Sequence, residues 1–555
     1  MTRSHAFGGL ISLALAGVIA VAGCAKPPAT GVPAPTTGTT QSRASTQAPP
    51  QPAGPYGELR MALTSFGSES FKVESVSGDS LALIGPLADW MFWTDTFGGA
   101  WKPGVVEKWD VAGNGLSWTL TIRKGIKFHN GDELTAKDVK FSIEQYGSKN
   151  AFFSGTRDMV ERVELVDPYT VRIFTKGKQP LLPRNMTLTS PYHGLVVPKD
   201  YVEKNGWDYF EKNPVGSGSF KLVRHAVADA LEYEAVDKHW LQTPQFRRLI
   251  LVLIPEETTR VAMLRTGAVD VVDTISFTTA LELEKRGFQN LVVGQAASQI
   301  QIHAAYDPRA KGMPAADIRV RQALSMAINR DEISKTLYYG KGEPPLPPYF
   351  SAPSVEIDTQ FWLDYTAKTY RYDPAEATRI LKEAGYSDGL KIKLYTFPAG
   401  GAPDNPKLAE IVQSYWSRIG VKGEIVPTDD ATYKKWKNKP VAEPLVGQAT
   451  TYVAVSLPPQ NLKSHFYGKS GTNLVGEAFP EFDKLIDEVF SEMDPAKRKE
   501  LFGRAVKIAT DAYTSLMISR YPSVAALSPA VLFDLPTPPS TQALAPYAAY
   551  FKHKK

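Results

Sequence analysis

Cysteine is almost missing from this chain: Cys24 is the only one in 555 residues. That excludes a disulfide framework and a thiolate metal site within the chain. Dense lysine or arginine tracts are missing too. The formal charge is only +5 and the basic residues are scattered, so nucleic acid is not an expected partner. None of the eight histidines lies three or four positions from another, so no metalloprotease-type helix can be written. Gly216-Ser217-Gly218 lacks both the Lys-Ser/Thr of a phosphate loop and the Gly-x-Ser-x-Gly spacing of a hydrolase elbow. No nucleophile, base and oxyanion site assembles. The sequence therefore predicts no catalytic residues, no metal and no cofactor, and His129, in Phe128-His129-Asn130-Gly131, reads as part of a turn.

Apolar material is plentiful, with 43% hydrophobic residues, and a chain this long is expected to form two or three lobes. The one long apolar run comes first. Arg3 precedes Phe7 to Ala22, which is nearly all apolar and ends in Val21-Ala22-Gly23-Cys24. This pattern reads as a signal peptide over residues 1–23, and Val21 to Cys24 resembles a bacterial lipobox, in which the cysteine thiol takes a diacylglycerol. The alternative is a secretory signal or short membrane helix with an incidental cysteine. Residues 24–56 are rich in Pro, Thr, Ala, Gly and Gln, with only Lys26 and Arg43 charged. They lack the apolar side chains that offset ordering entropy and read as a disordered tether. At about 3.1 Å per residue in Pro-rich stretches, such a tether reaches several tens of ångströms.

From Gly57 onward short strand-like runs alternate with well-punctuated helices, which points to an α/β body. Asp373-Pro374-Ala375-Glu376 is an N-cap, a first-turn proline and a capping carboxylate, followed by an apolar face of Ala377, Ile380, Leu381 and Ala384 and a stop at Gly385. Asp317 and Asn329 read as caps of two more helices, and Leu408, Ile411, Val412, Tyr415 and Ile419 mark another that ends at Gly420.

Several segments in fixed order carry a resemblance. They are Pro103-Gly104-Val105-Val106-Glu107-Lys108-Trp109; Gly115-Leu116-Ser117-Trp118 through Phe128-His129-Asn130-Gly131; Leu134-Thr135-Ala136-Lys137-Asp138-Val139; Asn213-Pro214-Val215-Gly216-Ser217-Gly218; Gly267-Ala268-Val269-Asp270; Asp317-Ile318-Arg319-Val320-Arg321-Gln322-Ala323-Leu324; Ala327-Ile328-Asn329-Arg330; and Tyr372-Asp373-Pro374. Together they resemble the family 5 (peptide/nickel, oligopeptide/dipeptide-type) solute-binding proteins of bacterial ABC importers. The resemblance implies a two-lobe periplasmic-binding-protein-like α/β fold (type II, cluster C) with an extra subdomain at about 96–205. The first lobe would hold residues 57–295, the second residues 300–520, and residues 521–555 would return to the first. It also implies a monomer that is extracytoplasmic, in the periplasm or at the cell surface. That monomer would capture a small-molecule ligand by lobe closure, hand it to an ABC permease and ATPase complex, and be held at the membrane through Cys24.

The ligand is less defined. In peptide-binding members the resemblance places a second-lobe aspartate against the ligand's amino group, in a Gly-Trp-x-x-Asp-like stretch. The corresponding segment here is Gly447-Gln448-Ala449-Thr450-Thr451-Tyr452, with Thr451 near the aspartate's place and no acid between Glu443 and Glu477. The loop Phe397 to Pro403, where dipeptide binders carry an arginine for the ligand carboxylate, has none. A buried ammonium without a paired charge is costly. A neutral solute such as an oligosaccharide therefore stands beside a peptide or peptide-like one, unless Asp89 or Asp95 supplies the charge. A ligand sensor is a further alternative, and a secreted hydrolase is disfavoured. The candidate ligand-binding residues are Trp90, Trp93 and Phe97 from the first lobe, and Tyr349, Phe350, Gln448, Thr451 and Tyr452 from the second. His303 and His465 are the only histidines placed to serve a nickel or haem cargo.

Overall fold

The structure is a computed structural model that describes residues 54–554, apart from 79, 95–100, 153, 189–191, 399–401, 439, 455–458, 471–473, 477–478 and 536–543. The segments read as signal peptide and tether, with Cys24, therefore lie outside the described residues, as do Asp95 and Phe97. Among the described residues no helix is long and apolar enough to cross a membrane.

The body opens with β1 (Glu58–Leu63) and the short pair β2 (Phe92–Thr94) and β3 (Trp101–Pro103). β4 (Val106–Val111), β5 (Ser117–Ile122), β6 (Val160–Asp167) and β7 (Thr170–Thr175) follow and make an antiparallel sheet in the order β4-β5-β7-β6. Its strands alternate as a half-buried sheet should: Trp118, Leu120 and Ile122 point inward, Ser117, Thr119 and Thr121 outward. This sheet has a core of its own, packed on the helix Ala136–Tyr146. Thr135 and Asp138 close that helix with a capping box.

The main sheet is assembled from β1 and nine later strands: β8 (Phe220–Ala226), β9 (Ala230–Ala235), β10 (Arg248–Leu253), β11 (Val271–Ile275), β12 (Gln289–Ile302), β13 (Leu390–Thr396), β14 (Val421–Pro427), β15 (Ala449–Ala454) and β16 (Ser515–Leu527). Their order is β14-β13-β15-β12-β16-β11-β1-β10-β9-β8. The 14-residue β12 and 13-residue β16 run antiparallel at its centre. At one end β16 pairs with β11, and at the other β12 pairs with β15, so the two lobes share these strands. Both are interrupted by register shifts at Val292/Gly294 and Ser298/Gln299, which bend a ladder locally. The lobe boundaries expected near 295–300 and 520 fall inside these two strands.

The helix signals appear where the sequence places them. Asp373 accepts from the Glu376 amide at 3.0 Å, Asp317 from that of Arg319 at 2.8 Å, and Asn329 from that of Glu332 at 3.1 Å. Ala377 and Leu381 are the buried residues of the helix Pro374–Glu383. The chain ends on β17 (Val531–Phe533) paired with β18 (Phe551–His553). The turn between them, Ala545–Tyr550, shares a hydrophobic core with β1, β9 and β10.

Gly216-Ser217-Gly218 and His129 turn out to form one packing unit. A Cβ on Gly216 would stand 2.1 Å from the Leu87 carbonyl oxygen, and one on Gly218 would stand 2.5 Å from that of Pro86. His129 clasps the turn: its Nδ1 accepts the Gly216 N–H at 3.4 Å and its Nε2 lies 2.9 Å from the Gly218 carbonyl. Burial pulls the imidazole pKa down to about 4.

Candidate ligand-binding site

β12 carries polar residues at every second position of its second-lobe end: Gln299, Gln301 and His303 follow it onto one face of the sheet. Their partners across the ladder are Tyr452 opposite Gln299 and Thr450 opposite Gln301. Tyr349, Tyr433 and His465 cover this face. The Gln301 amide nitrogen donates to Tyr349 Oη at 2.9 Å, and Tyr433 Oη donates to the Gln301 amide oxygen at 2.7 Å. His303 Nε2 lies 3.0 Å from Thr450 Oγ1. Tyr349 stacks on His465 with ring centres 4.2 Å apart, and Tyr452 meets the same imidazole edge-on at 6.4 Å.

Three side chains on this face keep unused hydrogen-bonding capacity, His303 through its Nδ1. The Gln299 amide is 0% exposed and neither its oxygen nor its nitrogen has a partner. His465 Nδ1 is 2.7 Å from the Asn461 carbonyl oxygen and so carries the ring proton. That leaves Nε2 as a buried acceptor with no partner. Most buried polar atoms are satisfied, so four unused ones on a single face mark a place built to hold a polar group. Among the described residues named on this face there is no carboxylate, and burial holds the pKa of both His303 and His465 down at about 3, which keeps them neutral.

The neutrality has a measurable consequence. Burial, and then the charge of Lys437, pulls the His465 pKa from 6.5 down to about 3. The folded value lies below the unfolded one, so the unfolded chain binds the extra proton. The stability contribution is therefore complete above pH 6.5 and is lost as pH falls toward 3. At pH 5 one such histidine costs about 2 kcal/mol. The His465→Gln variant is expected to lose less stability than wild type between pH 7 and pH 5 in urea unfolding. Parallel losses would contradict this.

The residues singled out from sequence fall in several places. Tyr349 and Tyr452 belong to the polar face. Thr451 is wholly buried on the opposite face, where its hydroxyl donates to Thr396 Oγ1 at 2.8 Å; adjacent strand residues cannot share a face. Gln448 finishes a strand edge, its side-chain oxygen accepting the Lys393 N–H at 2.7 Å. Phe350 is core, 6.0 Å from Phe502. Trp90 and Trp93 line a separate first-lobe pocket with Asp89, His239, Trp240 and Tyr550. Asp89 is already engaged there: Trp240 Nε1 donates to it at 2.8 Å and His239 Nε2 lies 3.2 Å away. Gln299 and Gln301 escaped the sequence reading, although their alternation with His303 along an apolar strand was a usable signal; His303 and His465, considered there only for a nickel or haem cargo, both lie on this face. Among the described residues no group of three or more His, Cys, Asp or Glu is placed to hold a metal ion.

Comparison with known proteins gives the fold its family. The model of the bacterial extracellular solute-binding proteins, family 5 Middle, matches residues 100–454. The chain belongs to this family. Its members bind solutes and are not enzymes, so the polar face described above belongs to an extracytoplasmic binding protein. The dipeptide-binding protein of Escherichia coli K12 is 27% identical over 449 residues, 75% of this chain and 80% of that protein. The heme-binding protein A of Haemophilus influenzae is 28% identical over 465 residues, 78% of this chain and 81% of that protein. The crystal structure of a dipeptide binding protein from Pseudoalteromonas sp. SM9913 in complex with Met-Leu superposes with a TM-score of 0.74. It is 22% identical and the match covers 90% of this chain and 100% of that one. The likeness shows the two-lobe α/β fold.

Proposed function

We propose that this protein captures a peptide or peptide-like solute between its two lobes and delivers it to the permease of an ABC importer. Residues 57–295 and 521–555 serve as one lobe and 300–520 as the other, and the protein acts as a monomer tethered by a lipid on Cys24. The observation that carries the reading is the buried polar face with its unpaired Gln299 amide and His465 Nε2. A glutamine amide offers an acceptor oxygen and N–H donors, which complement the N–H and C=O of a peptide group. Relatives named for dipeptides support the solute class. Lobe closure follows from the fold: a ligand that touches both lobes stabilises the closed state by its differential affinity for it.

The test is Gln299→Leu. Removing a buried amide with no partner should leave the ligand-free protein as stable as wild type, or more so. Loss of one or two hydrogen bonds, each about 1 kcal/mol, should weaken solute binding roughly tenfold. Calorimetric titration with di- to pentapeptides reads both arms. Unchanged affinity for every peptide that wild type binds would remove Gln299 from the site. If wild type binds no peptide in the panel and binds oligosaccharides instead, the solute class is wrong.

A further inference from the structure

Three charged side chains meet where the lobes approach each other. Arg184 lies on the short helix Leu182–Asn185, whose Leu182 packs in the core of the four-stranded sheet. Glu356 and Arg498 come from the other lobe, beside Ile357 and Phe502 of the largest core. Arg184 Nη1 stands 3.7 Å from one Glu356 oxygen, and Arg498 Nε stands 3.7 Å from the other. The neighbouring Gln460 Nε2 donates to Asn185 Oδ1 at 3.1 Å across the same seam. Gln460 opens the helix Gln460–Phe466 that carries His465, and Phe502, one turn on from Arg498, packs on Phe350 next to Tyr349. The helix that carries Arg498 touches the helix that carries His465 of the polar face.

The charge balance is uneven. Two guanidiniums share one carboxylate, and the three residues are only 9%, 9% and 7% exposed. At 3.7 Å neither ion pair is a hydrogen bond, and Arg498 Nε is a buried donor with no acceptor. Arg498 does spend one Nη1 hydrogen on the Glu492 carbonyl at 3.0 Å. Burial pulls the Arg184 pKa down, Glu356 raises it in part, and Arg498 lowers it again. Removing a charge from water without full pairing costs several kcal/mol, and a bidentate carboxylate is the partner that guanidinium geometry fits best.

We propose that Arg184 and Arg498 form an anion subsite that receives a carboxylate of the captured solute, one arginine from each lobe, with Glu356 holding the two apart. The subsite rests on the solute-capture reading and narrows its ligand to carboxylate-bearing solutes. It also supplies a cation that the loop 397–403 lacks.

The experiment compares trialanine with trialanine amide by calorimetry, and succinate with succinamide by thermal shift at matched ionic strength. Wild type should prefer trialanine over its amide by tenfold or more, and succinate but not succinamide should raise its melting temperature. Arg184→Gln and Arg498→Gln should each erase these preferences while leaving affinity for the amide in place. Lysine at either position, keeping the charge, should restore part of them. Glu356→Gln separates a subsite from a mere clasp between lobes. It adds net positive charge, so it should strengthen the preference for the acid; a clasp would weaken both ligands alike.

Equal loss for acid and amide in the arginine variants, or a weaker acid preference in Glu356→Gln, would overturn the subsite. Wild type responding to no carboxylate would overturn it as well. If peptides do not bind but the succinate response follows the arginines, the subsite stands and the peptide reading fails. If peptides bind and the arginine variants keep the acid preference, the reverse holds.

Discussion

Replacing Cys24 with serine is expected to move the protein from the membrane fraction to the soluble fraction almost completely. Each buried CH₂ of an acyl chain contributes about 0.8 kcal/mol, and stable anchoring needs at least two chains. A diacylglycerol thioether provides them and a serine cannot. Among the described residues of the globular body no helix is long and apolar enough to cross a membrane. Fractionation of cells expressing the two forms, with detection after carbonate washing, reads the result. If the serine variant stays in the membrane fraction, the apolar segment Phe7 to Ala22 is acting as a membrane helix and Cys24 is incidental.

The second large effect is structural. Arg330 is half-buried behind the second lobe, and its guanidinium is spent mostly on backbone. Nε donates to the Met517 carbonyl at 2.7 Å, Nη1 to those of Ser325, Ile328 and Tyr370 at 3.1, 3.2 and 2.7 Å, and Nη2 to Ser325 Oγ at 3.0 Å. Burial lowers its pKa to about 10, so it stays charged at neutral pH. Through these bonds one side chain ties the end of the helix Ile318–Met326 and the start of the next helix to β16, a strand both lobes use. Arg330→Met would strip four carbonyls and a hydroxyl of this donor. Breaking such a network should lower unfolding free energy on the order of 3–5 kcal/mol. Arg379→Gln, which removes only exposed ion pairs with Glu376 and Glu383, should change it by under about 1 kcal/mol. Urea unfolding midpoints of the two variants check the contrast; similar small shifts would show that the buried network is not what holds β16.

These two arginine positions illustrate how far sequence reading reached. Asn329-Arg330 was visible as a cap and part of a family segment, because capping is local and leaves its mark within four residues. What the guanidinium does was not visible, since two of its acceptors, the Met517 and Tyr370 carbonyls, lie 187 and 40 positions away. The fold class was legible for the same local reason: Asp317, Asn329 and Asp373 punctuate helices, and Trp118, Leu120 and Ile122 alternate along a strand. The site was legible only in part. Tyr349 and Tyr452 were found as aromatics in a suitable region, and both lie on the polar face. Thr451 was chosen beside Tyr452 although strand geometry sends neighbours to opposite faces. Gln299 and Gln301 were overlooked because a polar residue inside an apolar run reads as tolerated noise until its cross-strand partners are known. Arg184, Glu356 and Arg498 have no sequence pattern at all, being joined only by the approach of the lobes.

The central claim is that this protein binds a solute and releases it unchanged. It is tested most directly by incubating wild type with a mixed library of di- to pentapeptides, isolating the complex, and identifying the retained solute by mass spectrometry while following the melting temperature. The account predicts that one class of carboxylate-bearing peptides is retained intact. At a free concentration a hundredfold above its dissociation constant, such a peptide should stabilise the protein by about 2.7 kcal/mol. Steady conversion of the peptides to products, or retention of none with no rise in melting temperature, would contradict it.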